Sequence, residues 1–210
     1  MQKRTRGGGP GACAALVALG LALVCSGCGS TAPTRTGFLG DYERLGDVRG
    51  GEEFVSPALA GYRSFIVEAV EFRGEAEDVR ADHRSQLAAY LRARCVGVVE
   101  DAGLTIVEHA GSGVGRVRLA LTGVRSATWW LNLHPGSKIT GAGTGGASIE
   151  AEIVDSITGE QLAAASRVGR GNQFELDAFS ELDDVKDVID AWAEEASRRV
   201  KTAVEADTKE

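Results

Sequence analysis

The 210-residue sequence carries 30 Asp and Glu against 23 Lys and Arg, a net charge of −7, with a hydrophobic fraction of 43%. That length and composition suit one domain with a packed core. The acidic balance speaks against a nucleic-acid or anionic-lipid binding face, since both need clustered Lys and Arg.

Lys3, Arg4 and Arg6 give a basic start, and residues 12–24 form an uncharged, mostly apolar run. The run falls short of the about 20 residues of a transmembrane helix and suits the core of a secretory signal. Ser26, Gly27 and Cys28 follow. Small-small-Cys after an apolar core resembles the lipobox of bacterial lipoproteins, in which the thiol is acylated and the cysteine becomes the new N-terminus. Cys25 stands where the lipobox usually has Leu. The resemblance implies a signal peptide over 1–27, lipid attachment at Cys28, and a lipidated N-terminus with a flexible tether over 28–37. The competing reading is an ordinary signal cut near Ala32. Cleavage before Cys28 removes Cys13 and Cys25, and with Cys28 alkylated Cys95 has no disulfide partner. It also removes three basic residues and no acid, leaving 20 against 30, a net charge of about −10. Gly29 after the cysteine, in place of Asp, implies the outer membrane under the sorting pattern of enteric bacteria.

A single globular domain is expected over 38–206, with 207–210 as a tail. Residues 38–57 scatter apolar groups among Gly and acids and read as an irregular lead-in lying on the domain. YRSFIVEAVEF (62–72) is rich in β-branched and aromatic residues and reads as a strand. Leu87, Leu91, Cys95, Val98 and Ala102 recur at helical spacing between His83 and Gly103, predicting an amphipathic helix with Cys95 buried and inert on its apolar face. LTIVEHA (104–110) and VRLALTGV (117–124) read as strands, the second half-buried. ASIEAEIVDSITGEQLAAA (147–165) sets Ile149, Ala151 and Ile153 against Glu150 and Glu152, turns through 155–159 and returns, which is a hairpin. The last helix starts near Ser180 or Asp183, spaced as a capping box, and puts Val185, Val188, Ile189, Trp192, Ala196 and Val200 on one face. The order β-α-β-β-β-β-α predicts an α/β (α+β) fold: one largely antiparallel sheet with two amphipathic helices packed on a face.

GFLGDYERL, YRSFIVEAVEF, VRLALTGV, GGASIEAEIVDSITGEQLAA and VIDAWAEEASRRV resemble, in the same order, the blocks of an uncharacterised family of bacterial lipoproteins, domain of unknown function 3313. The block at 145–164 is the most distinctive. Ala69 stands where the family tends to have Pro. The resemblance implies an envelope lipoprotein and supplies no activity.

No catalytic constellation emerges from the residues. GAGTGG (141–146) satisfies G-x-G-x-x-G, yet a strand follows it where a dinucleotide site needs a helix N-terminus, so no cofactor is implied. GSGVG (111–115) joins two strands and reads as a hairpin loop. His83, His109 and His134 lack zinc-site spacing, so no metal is expected, and no G-x-S-x-G elbow occurs. Glu150 and Glu152 share a face and mimic a catalytic pair; the commoner reading is a solvated strand face. In TWWLNLHPG (128–136), strand alternation separates Trp129 from Trp130 and leaves one indole exposed, either as a docking patch for an envelope protein partner or folded over the sheet edge. The expected function is therefore a non-enzymatic, lipid-anchored binding or scaffolding module, attached to the membrane through acylated Cys28 and facing the periplasm, with no nucleic-acid partner. The rival class is an envelope hydrolase acting on cell-wall or lipid material, and a third is a structural spacer.

Overall fold

The computed structural model describes residues 35–125, 146–170 and 182–207. Within them lie eight strands and two helices: β1 (Gly46–Val48), β2 (Gly51–Val55), β3 (Ser64–Val67), β4 (Glu71–Phe72), α1 (Ala81–Asp101), β5 (Thr105–Ile106), β6 (Val114–Arg125), β7 (Gly146–Asp155), β8 (Gln161–Arg170) and α2 (Asp183–Asp207). The strands form one sheet in the order β1-β2-β8-β7-β6-β3-β5, with β4 also paired to β6. The long pairs β6–β7 and β7–β8 and the added β1–β2–β8 pairs are antiparallel, whereas β3 and β4 run parallel to β6. This is an α+β fold with a largely antiparallel sheet. No described helix is long and apolar enough to cross a membrane.

Both helices lie on one face. Leu87, Leu91 and Val99 of α1 and Val185, Val188 and Ile189 of α2 join Phe65, Val117, Leu119, Leu121 and Ile149 in a single core cluster. Burying each such side chain contributes about 1.5–3 kcal/mol relative to exposure. The predicted stripe of α1 holds at Leu87 and Leu91. α2 sits so close to β8 that a Cβ on Gly169 would lie 2.2 Å from Val188 Cγ1 and 3.1 Å from Trp192 Cζ2.

The element order departs from the expected one at the N-terminal side. The lead-in contains the β1–β2 hairpin, turned at Gly50 with φ +82° and added to the sheet edge along β8. A Cβ on Gly51 would come within 2.0 Å of the Ser166 carbonyl oxygen, so only glycine permits that approach. The expected strand over 62–72 is broken into β3 and β4. Val67 pairs with Val117 and Glu71 with Ala120, so this side holds one more residue than β6 between the two pairs, the condition for a bulge. Of 104–110 only Thr105–Ile106 pairs, because β5 meets β3 at the sheet edge through Ser64 and Phe65 alone.

A second, smaller cluster covers the other face: Phe38, Leu39, Ala120 and Ala164, flanked by Tyr42 and Leu45. It overturns the expectation of a solvated strand face at Glu150 and Glu152. Alternation does place both opposite Ile149, Ala151 and Ile153, but residues 35–45 lie across them as a strap, leaving them 0% and 1% exposed.

Candidate functional site

Glu150 and Glu152 occupy successive same-face positions of β7. Glu150 sits between Ala120 of β6 and Ser166 of β8, and Glu152 between Arg118 and Ala164. The strap supplies most of their ligands, and β6 and β8 supply the rest. Glu150 Oε1 accepts from the Thr36 backbone N–H at 3.2 Å and from the Tyr42 hydroxyl at 2.7 Å, and its Oε2 accepts from the Thr36 hydroxyl. Glu152 Oε1 accepts from the Gly40 N–H at 2.7 Å and from Gln161 Nε2 at 2.8 Å, and its Oε2 from Arg118 at 2.6 Å. The strap approaches so closely that a Cβ on Gly40 would stand 3.1 Å from Glu152 Oε1.

Secondary contacts fix the strap itself. Tyr42 OH accepts from the N–H groups of Gly37 and Leu39, so a single phenol ties the turn to Glu150. Burial, and then the Glu150 hydrogen bond, push the Tyr42 phenol above its usual pKa of 10.0. The Arg118 guanidinium lies 4.7 Å from the Phe38 ring centroid, and Arg35 makes a forked contact with Glu52 at 3.1–3.3 Å. Gln161 Nε2 also donates to the Asp41 carbonyl at 3.2 Å, which sets the amide's orientation; its buried Oε1 accepts no hydrogen bond.

These contacts decide what the pair can do. A general acid or base must reach a substrate proton, whereas every carboxylate oxygen here is occupied by the chain and sealed from solvent. Glu152 has a cation; Glu150 has only neutral donors. The pair acts as a clasp that holds the segment leading to the N-terminus against the middle of the sheet.

The helix face carries a different feature. Tyr90 and Arg94 of α1 both contact Asp190 of α2, at 2.7 Å and 2.7 Å. Near that contact, Cys95 and Val98 of α1 and Trp192, Ala193 and Ala196 of α2 line a cleft floored by Leu119, Ile149 and Ala151. Its volume is about 260 Å³, and its charged groups, Glu53, Arg94, Arg167, Glu195 and Arg199, are the ends of long side chains. Glu53 joins Arg167 and Arg199, and Arg199 also reaches Glu195 at 2.6 Å.

Cys95 is half-buried, packed against the core and part of the cleft wall, where burial pushes its thiol up to about 11. Ala196, expected on the buried face of α2, is exposed beside the cleft. Cys28, Trp129, Trp130, His134 and Ser180 lie outside the described residues. Among the described residues, His83 and His109 included, no group of three or more His, Cys, Asp or Glu could hold a metal ion. Sequence reasoning missed Thr36, Tyr42, Arg118 and Gln161 as partners of the glutamates. The available signal was GFLGDYERL, whose apolar residues and glycines resemble a segment that lies on a surface.

Residues 34–196 match a family model described as Protein of unknown function (DUF3313). The chain belongs to that family. No curated protein matches. Among solved structures, this DUF3313 chain is similar to the PelC dodecamer from Paraburkholderia phytofirmans, with 18% identity, coverage of 72% of this chain and 93% of that one, and a TM-score of 0.37. It is also similar to the hypothetical protein CT253 from Chlamydia trachomatis, at 11% identity, 68% and 98% coverage and a TM-score of 0.39. A minor lipoprotein from Acinetobacter baumannii matches at 13% identity, 67% and 92% coverage and a TM-score of 0.28.

Proposed function

We propose that this DUF3313 chain is a lipid-anchored cell-envelope lipoprotein, acylated at Cys28, that acts as a binding or scaffolding module at the periplasmic face of the outer membrane and catalyses no reaction. The observation that carries the non-enzymatic part is the state of Glu150 and Glu152: both carboxylates are buried and hydrogen-bonded on both oxygens, Glu150 to the strap alone and Glu152 to Gly40 of the strap, Arg118 of β6 and Gln161 of β8. A hydrolase working through this pair would need at least one of them open to a substrate. The cleft on the helix face supports the binding part, since its interior is apolar and its charged groups stand at the ends of long side chains.

The anchor reading draws support from the strap's place in the chain. The Ser26-Gly27-Cys28 junction lies seven residues before Arg35, and the strap begins there. The first described residues after Cys28 are therefore held to the sheet, Arg35 by Glu52 of β2 and Thr36 by Glu150 of β7. Affinity capture from envelopes with the native anchor intact tests the binding role. Recovery of a defined stoichiometric partner or lipid is expected, and turnover of an envelope substrate that survives loss of the cleft but not of Glu150 or Glu152 would overturn it.

A further inference from the structure

The helix-face cleft lies on the opposite face of the sheet from the clasp, and no strap residue lines it. We propose that it binds one acyl chain bearing a carboxylate head, with the chain over Leu119, Ile149 and Ala151 and the head at the arginines of the mouth. The proposal names the ligand of the binding module and rests on that reading only for the envelope address.

Size comes first. At about 260 Å³ the cleft lies between the about 150 Å³ that accepts benzene and the roughly 300–1,000 Å³ of drug-sized sites, which suits one narrow chain and is too small for a two-chain phospholipid. Interior chemistry comes second. The walls between the helices are Cys95, Val98, Trp192 and alanines, with no hydrogen-bonding side chain for a sugar or peptide backbone except the Trp192 indole N–H. An apolar chain asks for nothing else.

The mouth supplies the head-group preference. Its lining charges are three arginines against two glutamates, and Asp190 outside the lining balances Arg94, so the head-group preference rests on the N–H donors that these pairs leave unused and not on net charge. Arg199 is half-exposed and donates to Glu53 and Glu195 through one nitrogen each. A guanidinium has five N–H donors, so these contacts leave others for a carboxylate.

Cys95 is the built-in reporter, being a wall residue whose alkylation needs the cleft open. The protein purified from envelopes is reconstituted in phosphatidylcholine vesicles and treated with a small maleimide, and modification of the Cys95 peptide is followed by mass spectrometry with added octanoate, decanoate or dodecanoate. Protection is expected, with the half-protecting concentration falling about fourfold per added methylene. Alcohols of equal length should protect at least tenfold less well, and Arg199→Glu should remove that difference. Ala196→Trp, at an exposed helix position, should abolish ligand-dependent protection while leaving the circular-dichroism melt unchanged. Protection that is absent or independent of chain length overturns the proposal, and equal protection by alcohols overturns the carboxylate. Shielding of Cys95 without added ligand that disappears in Cys28→Ala would assign the cleft to the protein's own anchor, and shielding that rises with protein concentration would assign it to a second copy; either result overturns a free lipid ligand. An unacylated Cys28 with Cys95 protection intact would sink the envelope reading alone.

Discussion

Removing Arg118 tests the clasp most sharply. Glu152 is 0% exposed at its side chain and Arg118 is 30% exposed, so Arg118→Ala leaves a buried carboxylate held only by Gly40 N–H and Gln161. A hydrogen bond to a charged group contributes about 1.5–3 kcal/mol, and the lost contact with the Phe38 ring adds about 0.5–1 kcal/mol. Deleting one partner of a fully buried pair costs about 3–5 kcal/mol, and the partial exposure of Arg118 lowers that. The expected loss is therefore about 2–4 kcal/mol, a fall in Tm of roughly 4–16 °C for a domain of this size. Glu152→Gln keeps an acceptor for Gly40 and Gln161 but turns an amide N–H₂ toward Arg118, so the two changes should couple: the double variant should lose less than the sum of the singles by more than about 1 kcal/mol. Urea unfolding with an unchanged m-value measures this, and faster proteolysis within residues 35–45 should accompany it. An Arg118→Ala loss under about 0.5 kcal/mol, with additive singles, would refute the clasp.

Further expectations concern pH and packing. The phenol of Tyr42 titrates above its usual value through burial and its bond to Glu150, and Tyr62 and Tyr90 are raised too, Tyr62 by its bond to Asp155 and Tyr90 by burial and its bond to Asp190. Their stabilisation is present below pH ~10 and lost as pH rises past it, and Tyr42→Phe should flatten the alkaline limb of a Tm-versus-pH curve. Hydrogen bonds from Thr158 N–H, then Tyr62, hold Asp155 at about 2, so its contribution is present above pH ~4 and lost as pH falls toward 2; Asp155→Asn should remove that acid limb. Gly169→Ala should cost about 1–3 kcal/mol by driving a methyl into Val188, whereas Gly97→Ala, in open space on α1, should stabilise by about 0.5–1 kcal/mol in thermal melts.

The hairpin was legible because its alternation is strict: Ile149, Ala151 and Ile153 do face the helices. Alternation fixes which residues share a face and leaves open what lies on it, so the burial of Glu150 and Glu152 was not readable from β7. The covering segment has no period; Phe38, Leu39, Tyr42 and Leu45 follow the curve of a strap. β2 escaped for a related reason, since Gly51, Glu52 and Glu53 suppress strand signals while Glu53 is neutralised by Arg167 and Arg199, far along the chain. The helix stripes placed Leu87, Leu91, Val185 and Ile189 correctly. The cleft depends on the separation of two helices, which spacing within either one does not encode; the small Ala193 and Ala196 beside Trp192 were its trace.

The most direct measurement is the intact mass of the protein extracted from the membrane fraction. An N-terminus at Cys28 carrying acyl groups is expected, and Cys28→Ala should leave the precursor uncleaved or mislocalised. Several chains on one cysteine, at about 0.8 kcal/mol per buried CH₂, make release from the bilayer negligible. An unmodified N-terminus downstream of Cys28 would contradict the account.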